Sequence, residues 1–256
     1  MAEAAVPSEA VTQDGFLGGR LTLLQPRKGH RAGSDALLLA AAAPAEISGL
    51  AVDVGAGVGT AGLALAALRP DLAFGLVEKD PELTALARRN LAANGLAARG
   101  SVYEADVLDL QSRSLSGLAE ASAALVISNP PFLDPRRVRL SPEAGKRSAH
   151  IMPAGATLEA WIVSCLALLA EGGLFIMIHR PDALPQMLAA LERRGGDIML
   201  LPIYPQAAKP AIRILLRAKK ASRGPLSIAP PLILHEGDKF TSDAEALHRG
   251  EALIAW

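Results

Sequence analysis

Two short stretches carry residue types arranged for chemistry. Val52-Asp53-Val54-Gly55-Ala56-Gly57-Val58-Gly59-Thr60 places three glycines between an apolar run and a helix-forming run. Glycines leave no Cβ where a ligand lies against the backbone, and the helix behind them offers unpaired N–H groups. That combination suits a nucleotide-like ligand. The second stretch, Asn129-Pro130-Pro131-Phe132, follows another apolar run. Its Asn side-chain oxygen and the Pro130 carbonyl can each accept one N–H of a planar amine, turning the nitrogen lone pair toward an electrophile. The prolines fix φ and set these acceptors before substrate arrives. Phe132 can stack on a flat target such as an unstacked base.

Glycine spacing narrows the ligand. A dinucleotide fingerprint starting directly after the strand needs glycine at 55, 57 and 60, and position 60 is Thr60. The shifted frame Gly57, Gly59, Gly62 fits the letters but begins two residues late. It keeps an NAD-dependent oxidoreductase open as a reading from another class. Glu78 ends the run Ala73–Glu78, 23 positions after Gly55. That is close to the spacing of about 20 for a carboxylate that accepts ribose hydroxyl protons. A solvated strand-end charge would look the same. A further run, Ser101–Asp106, ends on Asp106 with Val107 after it, and Asp109 competes with Asp106 as the acid at that strand end.

The elements that must hold these residues alternate. Strands are expected at Leu50–Val54, Ala73–Glu78, Ser101–Asp106, Ala123–Ser128 and Gly173–Ile178. Helices are expected at Thr60–Leu68, Glu82–Asn94, Ala156–Leu169 and Pro181–Arg194. Alternation of this kind implies an α/β fold with a doubly wound, mostly parallel sheet, whose ligands lie beyond the carboxyl ends of its strands. Asp197–Ile203 and Ile212–Arg217 are close enough in sequence to form an antiparallel pair at one edge. Phe16–Leu24 reads as an N-terminal hairpin on a Gly-Gly turn, Ser34 or Asp35 opens a helix to about Ala43, and a terminal helix spans Ser242–Ile254. Residues 1–14 read as a disordered tail, and 15–256 as a single domain in which 15–45 form an extension.

Composition removes several classes. The chain has 256 residues, half of them hydrophobic, with 26 basic and 26 acidic side chains. Its size supports one large core. A neutral balance leaves any nucleic-acid affinity to local clusters. Arg27, Lys28 and Arg31, with Arg20 nearby, form one; Lys209, Arg213, Arg217, Lys219, Lys220 and Arg223 form another, and solvated or edge-protecting roles would use the same charges. Cys165 is the single cysteine, which excludes an intrachain disulfide and a cysteine-built zinc site and suits a reducing, cytoplasmic setting. The histidines show no metal-ligand spacing, so no metal is expected. The longest apolar run, Ala36–Ala45, is shorter than the roughly 20 residues that span a bilayer, and no signal peptide or membrane association is expected.

The strand-Asp53-Gly55-x-Gly57-x-Gly59 pattern resembles motif I of the class I S-adenosylmethionine-dependent methyltransferases, and Asn129-Pro130-Pro131-Phe132 resembles motif IV of those that modify adenine N6, guanine N2 or glutamine N5. The chain as a whole, from about residue 15 to 250, resembles the bacterial tRNA1(Val) adenine-N6 methyltransferase family. The hairpin, Gly29-His30-Arg31-x-Gly33-x-Asp35 ahead of a Leu-Leu-Leu-Ala helix, Ser128 before the tetrad, and Arg147-x-Ala149-His150 after it carry that likeness. The resemblance implies a seven-stranded Rossmann-like sheet, S-adenosyl-L-methionine as cofactor and tRNA as partner. It implies that Asn129, Pro130 and Phe132 are catalytic. Cofactor binding falls to Asp53, Gly55, Ala56, Gly57, Glu78, Lys79, Asp106, Val107 and Asn129. Arg27, Lys28, Arg31, Arg136, Arg137 and Arg147 would meet substrate. Glutamine N5 methylation of a release factor and guanine N2 methylation of rRNA remain alternatives, as does a non-catalytic RNA-binding relative. Leu133–Arg139 departs from the segment that usually follows the tetrad in release-factor enzymes, and Phe132 stands where many relatives carry Tyr.

Overall fold

The computed structural model describes residues 11–27, 33–131 and 156–256. Its centre is a nine-stranded sheet, seven strands of which are five residues or longer. Along the sheet they run β8 (Gly195–Tyr204), β9 (Arg213–Lys220), β7 (Leu169–His179), β6 (Ala123–Ser128), β3 (Leu50–Val54), β4 (Ala73–Glu78) and β5 (Gly100–Glu104). The two-residue strands β10 (Ser227–Ile228) and β11 (Leu232–Ile233) pair parallel with β8. β1 (Val11–Phe16) and β2 (Leu21–Pro26) form a separate antiparallel hairpin, as do β12 (His235–Glu236) and β13 (Lys239–Phe240).

The central strands are mostly apolar because both faces are covered, with Asp53, Ser128 and His179 as buried polar exceptions at or near their carboxyl ends. Along β6, Leu125 and Ile127 enter one core while Val126 enters the other; along β7, Ile176 and Ile178 face one side, Phe175 and Met177 the other. Helices α1 (Ser34–Ala41), α2 (Thr60–Leu68), α3 (Pro81–Ala93) and α7 (Ser242–Arg249) supply the first core, and α5 (Leu158–Leu168) and α6 (Leu184–Leu191) the second. α2 carries no charged residue and is buried along most of its length. Pro81 opens α3, and the Asp80 carboxylate accepts the N–H groups of Glu82 and Leu83.

Several features differ from those read in the sequence. β9 is antiparallel to both β7 and β8, so the reversed strand stands between two strands that run parallel to each other. The α6 crossover brings β8 back parallel to β7 at a distance of one strand, and the short return from β8 fills the gap. The hairpin starts at Val11, within the stretch expected to be tail, because Val11 is buried against Val58 and Leu86. Its connection is longer than a Gly-Gly turn, since Leu17 turns inward and is buried at φ +50. α7 stops at Arg249 because Gly250 adopts φ +70, a left-handed C-cap. The chain beyond it instead covers the end of α1: Ile254 N–H donates to the Ala41 carbonyl and the Trp256 indole to the Ala42 carbonyl. A short helix not foreseen, α4 (Leu110–Leu115), is capped by Asp109.

The hairpin is fastened to α3 by two asparagines one turn apart. Asn90, fully buried, accepts the Leu24 N–H (2.7 Å) and donates to the Leu24 carbonyl (3.0 Å) and the Val58 carbonyl (2.9 Å). Asn94 pairs with Thr22 in the same two-bond manner. Asn90→Ala strands these buried backbone groups, so thermal unfolding monitored by circular dichroism should show a loss of about 3 kcal/mol. Asn94→Ala, at a half-exposed position, should lose clearly less.

Candidate active site

The turn from β3 into α2 uses its three glycines differently. Gly55, Gly57 and Gly59 all have positive φ, +74°, +58° and +91°. At Gly55 a Cβ would lie 2.9 Å from the Trp161 ring, and at Gly59 one would lie 2.8 Å from Leu76 Cδ1. Those two glycines permit close packing. At Gly57 nothing stands within 4 Å of a Cβ position, so this backbone is the open face of the turn. The N–H groups of Gly55 and Ala56 both donate to the Val77 carbonyl, at 2.9 and 3.0 Å, bending the turn over β4.

Glu78 ends β4 beside the open glycine. Its Oε2 accepts the Gly57 N–H and its Oε1 the N–H groups of Lys79 and Asp80, each at 2.9 Å. A carboxylate held by three backbone donors is oriented before any ligand arrives. Asp53 lies beneath the turn, buried, with Oδ2 accepting the Gly62 N–H at 2.8 Å. It supplies the acceptor that Gly59, at the N-cap of α2, lacks. Gly62 sits inside α2, where a Cβ would fall 2.2 Å from Leu76 and 3.1 Å from Asp53. Packing therefore accounts for the third glycine of the shifted frame. Burial, aided by repulsion from Glu78 and opposed by the Gly62 bond, raises the Asp53 carboxyl to about 7.

At the next strand end, Asp106 Oδ1 accepts the Leu108 N–H at 3.0 Å and Oδ2 lies 3.7 Å from Lys79 Nζ, both side chains part-exposed. Val107 is buried, and its carbonyl takes Arg113. Asp109, the competitor, is occupied in capping α4.

β6 pairs with β3 in the register Ser128↔Val54, so Asn129 leaves its strand level with Gly55. Ser128 Oγ donates to the Val54 carbonyl at 2.8 Å and accepts the Trp161 indole N–H at 2.9 Å. Asn129 Oδ1 is buried and has no hydrogen-bond partner among the described residues. Pro130 beside it is buried too. The glycine turn, Glu78, Asp106 and Asn129 thus stand at one end of the sheet. Phe132, Lys28, Arg31, Arg136, Arg137 and Arg147 lie outside the described residues, and Arg27 is exposed at the end of β2.

The second basic cluster is partly consumed by the fold. Arg213 pairs with Asp35 at 2.7 Å, Arg217 lies over the Trp256 ring at 4.7 Å, and Lys220 donates to the Leu169 carbonyl at 2.7 Å. Lys209, Lys219 and Arg223 are exposed. His179 is buried, accepts the Arg180 N–H on Nδ1, and is pushed down to about 4 by burial, which keeps it neutral. Among the described residues no group of three or more His, Cys, Asp or Glu is placed to hold a metal ion. Sequence reasoning missed Trp161 and Asn90. A tryptophan in a helix of otherwise small and aliphatic residues was the available signal, since a buried indole N–H needs an acceptor.

A nucleoside with a charged side group fits what is here: an open glycine backbone, an oriented carboxylate beside it, and at the same end of the sheet a buried amide oxygen without a partner among the described residues. Comparison with known proteins agrees. The methyltransferase small domain family matches residues 29–150. A tRNA1(Val) (adenine(37)-N6)-methyltransferase of Erwinia tasmaniensis is 30% identical over 213 residues, covering 82% of this chain and 84% of that one. A release factor glutamine methyltransferase of Escherichia coli is 39% identical over 83 residues, 27% of its length. Among solved structures, a protein of Agrobacterium tumefaciens described as a predicted O-methyltransferase is 32% identical, with a TM-score of 0.73 over 87% of this chain and 99% of that one. M. jannaschii TYW2 in complex with AdoMet, 14% identical at a TM-score of 0.57 over 84% of this chain and 88% of that one, shares the fold.

The raised Asp53 carboxyl has a consequence for stability. From about pH 4, the ordinary carboxylate range, up to about 7, the unfolded chain has released a proton that the folded chain still holds. Stability is therefore lost as pH rises through that window, and the full penalty stands above it. Asp53→Asn keeps the acceptor for Gly62 and cannot ionise. Its stability advantage over the native chain, read from urea unfolding, should grow by about 2 to 3 kcal/mol between pH 5 and pH 8.

Proposed function

The chain belongs to a family of S-adenosylmethionine-dependent methyltransferases that includes the tRNA1(Val) adenine-N6 enzymes, and from this premise we propose that it methylates an exocyclic amine, adenine N6 of a tRNA, in the cytoplasm. The observation that carries the reading is the buried Asn129 Oδ1 without a partner among the described residues, at a strand end in register with the glycine turn. A buried acceptor left unpaired is costly to a fold, and a substrate N–H removes that cost. Two relatives named for tRNA match over 82% of this chain, whereas those named for release factors share between 32% and 57% of it. No helix among the described residues is long and apolar enough to cross a membrane.

In this reading Gly55, Ala56 and Gly57 let the cofactor lie against the backbone, and Glu78 accepts its ribose hydroxyls. Lys79, Asp106 and Val107 border the base, while Asp53 acts from below by holding the first turn of α2. When bound, S-adenosylmethionine supplies a methyl group on a sulfonium, open to attack by a neutral nitrogen. Asn129 Oδ1 accepts one N–H of the target amine and the Pro130 carbonyl the other, so the lone pair is directed at the methyl. Phe132 stacks on the base. The methylated nitrogen is acidic enough to give its proton to water, and no strong base is required. Arg27, Lys28, Arg31, Arg136, Arg137 and Arg147 neutralise substrate phosphates.

Labelled-methyl transfer to bulk tRNA, compared with transfer to a release factor and to rRNA, tests the substrate, and nucleoside mass spectrometry should identify N6-methyladenosine. Label appearing in the release factor instead would replace adenine by glutamine. Asn129→Ala should lower transfer at least about 100-fold while the Kd for cofactor, measured by equilibrium dialysis, stays within a few-fold. Glu78→Ala should raise that Kd by about 10-fold or more, the size of one charge-assisted pair. NAD should show no binding in the same cells.

A further inference from the structure

Ser128 and Trp161 stand behind the two loops that the transfer brings together. Resting on the methyl-transfer reading above, we propose that the Ser128 hydroxyl, held by the Trp161 indole, is a positioning residue that sets the height of Asn129 relative to the glycine turn.

Four observations converge on this pair. Ser128 is the last residue of β6 and Val54 the last of β3, and their register is direct. The carbonyl of Val54, one residue before Gly55, receives the Ser128 hydroxyl at 2.8 Å, and Ser128 itself immediately precedes Asn129. One side chain therefore ties together the roots of both loops. That hydroxyl has a fixed direction because its lone pair receives the Trp161 N–H at 2.9 Å, and both residues are buried. The same indole abuts Gly55, where a Cβ would lie 2.9 Å from Cζ2, so it braces the turn it helps to align. Trp161 is in the first turn of α5, the helix the chain enters after the Asn129 corner.

The alternative is a hydroxyl that only satisfies a buried indole. A merely structural bond would lower stability and leave the turnover of the folded fraction alone. A positioning bond changes turnover, since in-line transfer depends on distance and a displacement near 1 Å costs on the order of 100-fold.

Steady-state kinetics on the full-length chain with bulk tRNA and labelled S-adenosylmethionine separate the two, with the Kd of S-adenosylhomocysteine and the Tm measured alongside. For Ser128→Ala we expect kcat to fall about 10- to 100-fold while both KM values and the Kd stay within three-fold (on the order of 3, well inside the kcat effect). Trp161→Phe, which keeps a ring and loses the donor, should lower kcat in the same sense. The double variant should be no slower than the slower single, because both act through one chain of bonds. Ser128→Thr, which retains a hydroxyl, should recover most of the turnover. Ser128→Ala with native kcat, a loss confined to KM, or additive losses in the double variant would each overturn the assignment. If Ser128→Ala does not fold, Trp161→Phe and Ser128→Thr carry the comparison: native kcat in Trp161→Phe overturns the proposal. A native chain that methylates none of the offered substrates overturns the functional reading and this proposal with it, whereas an active native chain matched by its variants overturns the positioning alone.

Discussion

Two parallel strands, β3 and β6, end side by side at the centre of the sheet, and the chain leaves them in opposite directions. From β3 it turns toward α2 on one face; after β6 and the Asn129 corner it reaches α5 on the other. Neighbouring parallel strands whose continuations diverge leave a crevice between them, and the residues just past the two strand ends border it. The register Ser128↔Val54 determines which residues those are. Shifted by one residue, the strand would present Ser128 to the crevice and send Asn129 elsewhere. The apolar alternation along β6 opposes such a slip, because it would move Leu125 and Ile127 from one core to the other.

Polar groups around the crevice are paired with unusual completeness. The Gly55 and Ala56 amides go to Val77, the Gly57 amide to Glu78, the Gly62 amide to Asp53, and the Val54 carbonyl to Ser128. Dipoles already held in place need no rearrangement when a charged ligand arrives. Against that background the Asn129 oxygen is conspicuous, since no group among the described residues donates to it. The Asp53 carboxylate shows the opposite balance. It holds α2 in place, and its burial makes the ionised form expensive.

The outer elements steady this arrangement more than they enlarge it. Asn90 ties the hairpin and the glycine turn to α3 in one set of bonds. The C-terminal residues close the open carbonyls of α1, and Arg217 rests on Trp256. Half of a basic run that reads as a phosphate-binding cluster is thereby committed to internal contacts. Charge alone does not separate the two uses, because a guanidinium serves an indole, a carboxylate or a phosphate with the same donors.

The strand and helix order, the glycine turn, Glu78 at its strand end and Asn129 after β6 were all legible in the chain, because each rests on local rules: apolar periodicity, φ freedom at glycine, and the offset between a turn and the next acid. The start of β1 and the course of the chain beyond α7 were not, since Val11 packs on Val58 and Leu86 and the last residues bond to Ala41 and Ala42, all far away in sequence. The same holds for the different duties of the three glycines, which follow from Trp161 and Leu76 packing against two of them and nothing against the third. Local sequence thus determined which groups could do chemistry. Only the tertiary structure decided which face each other, because a hydrogen bond such as Trp161 to Ser128 joins residues 33 positions apart and leaves no period or motif to be read.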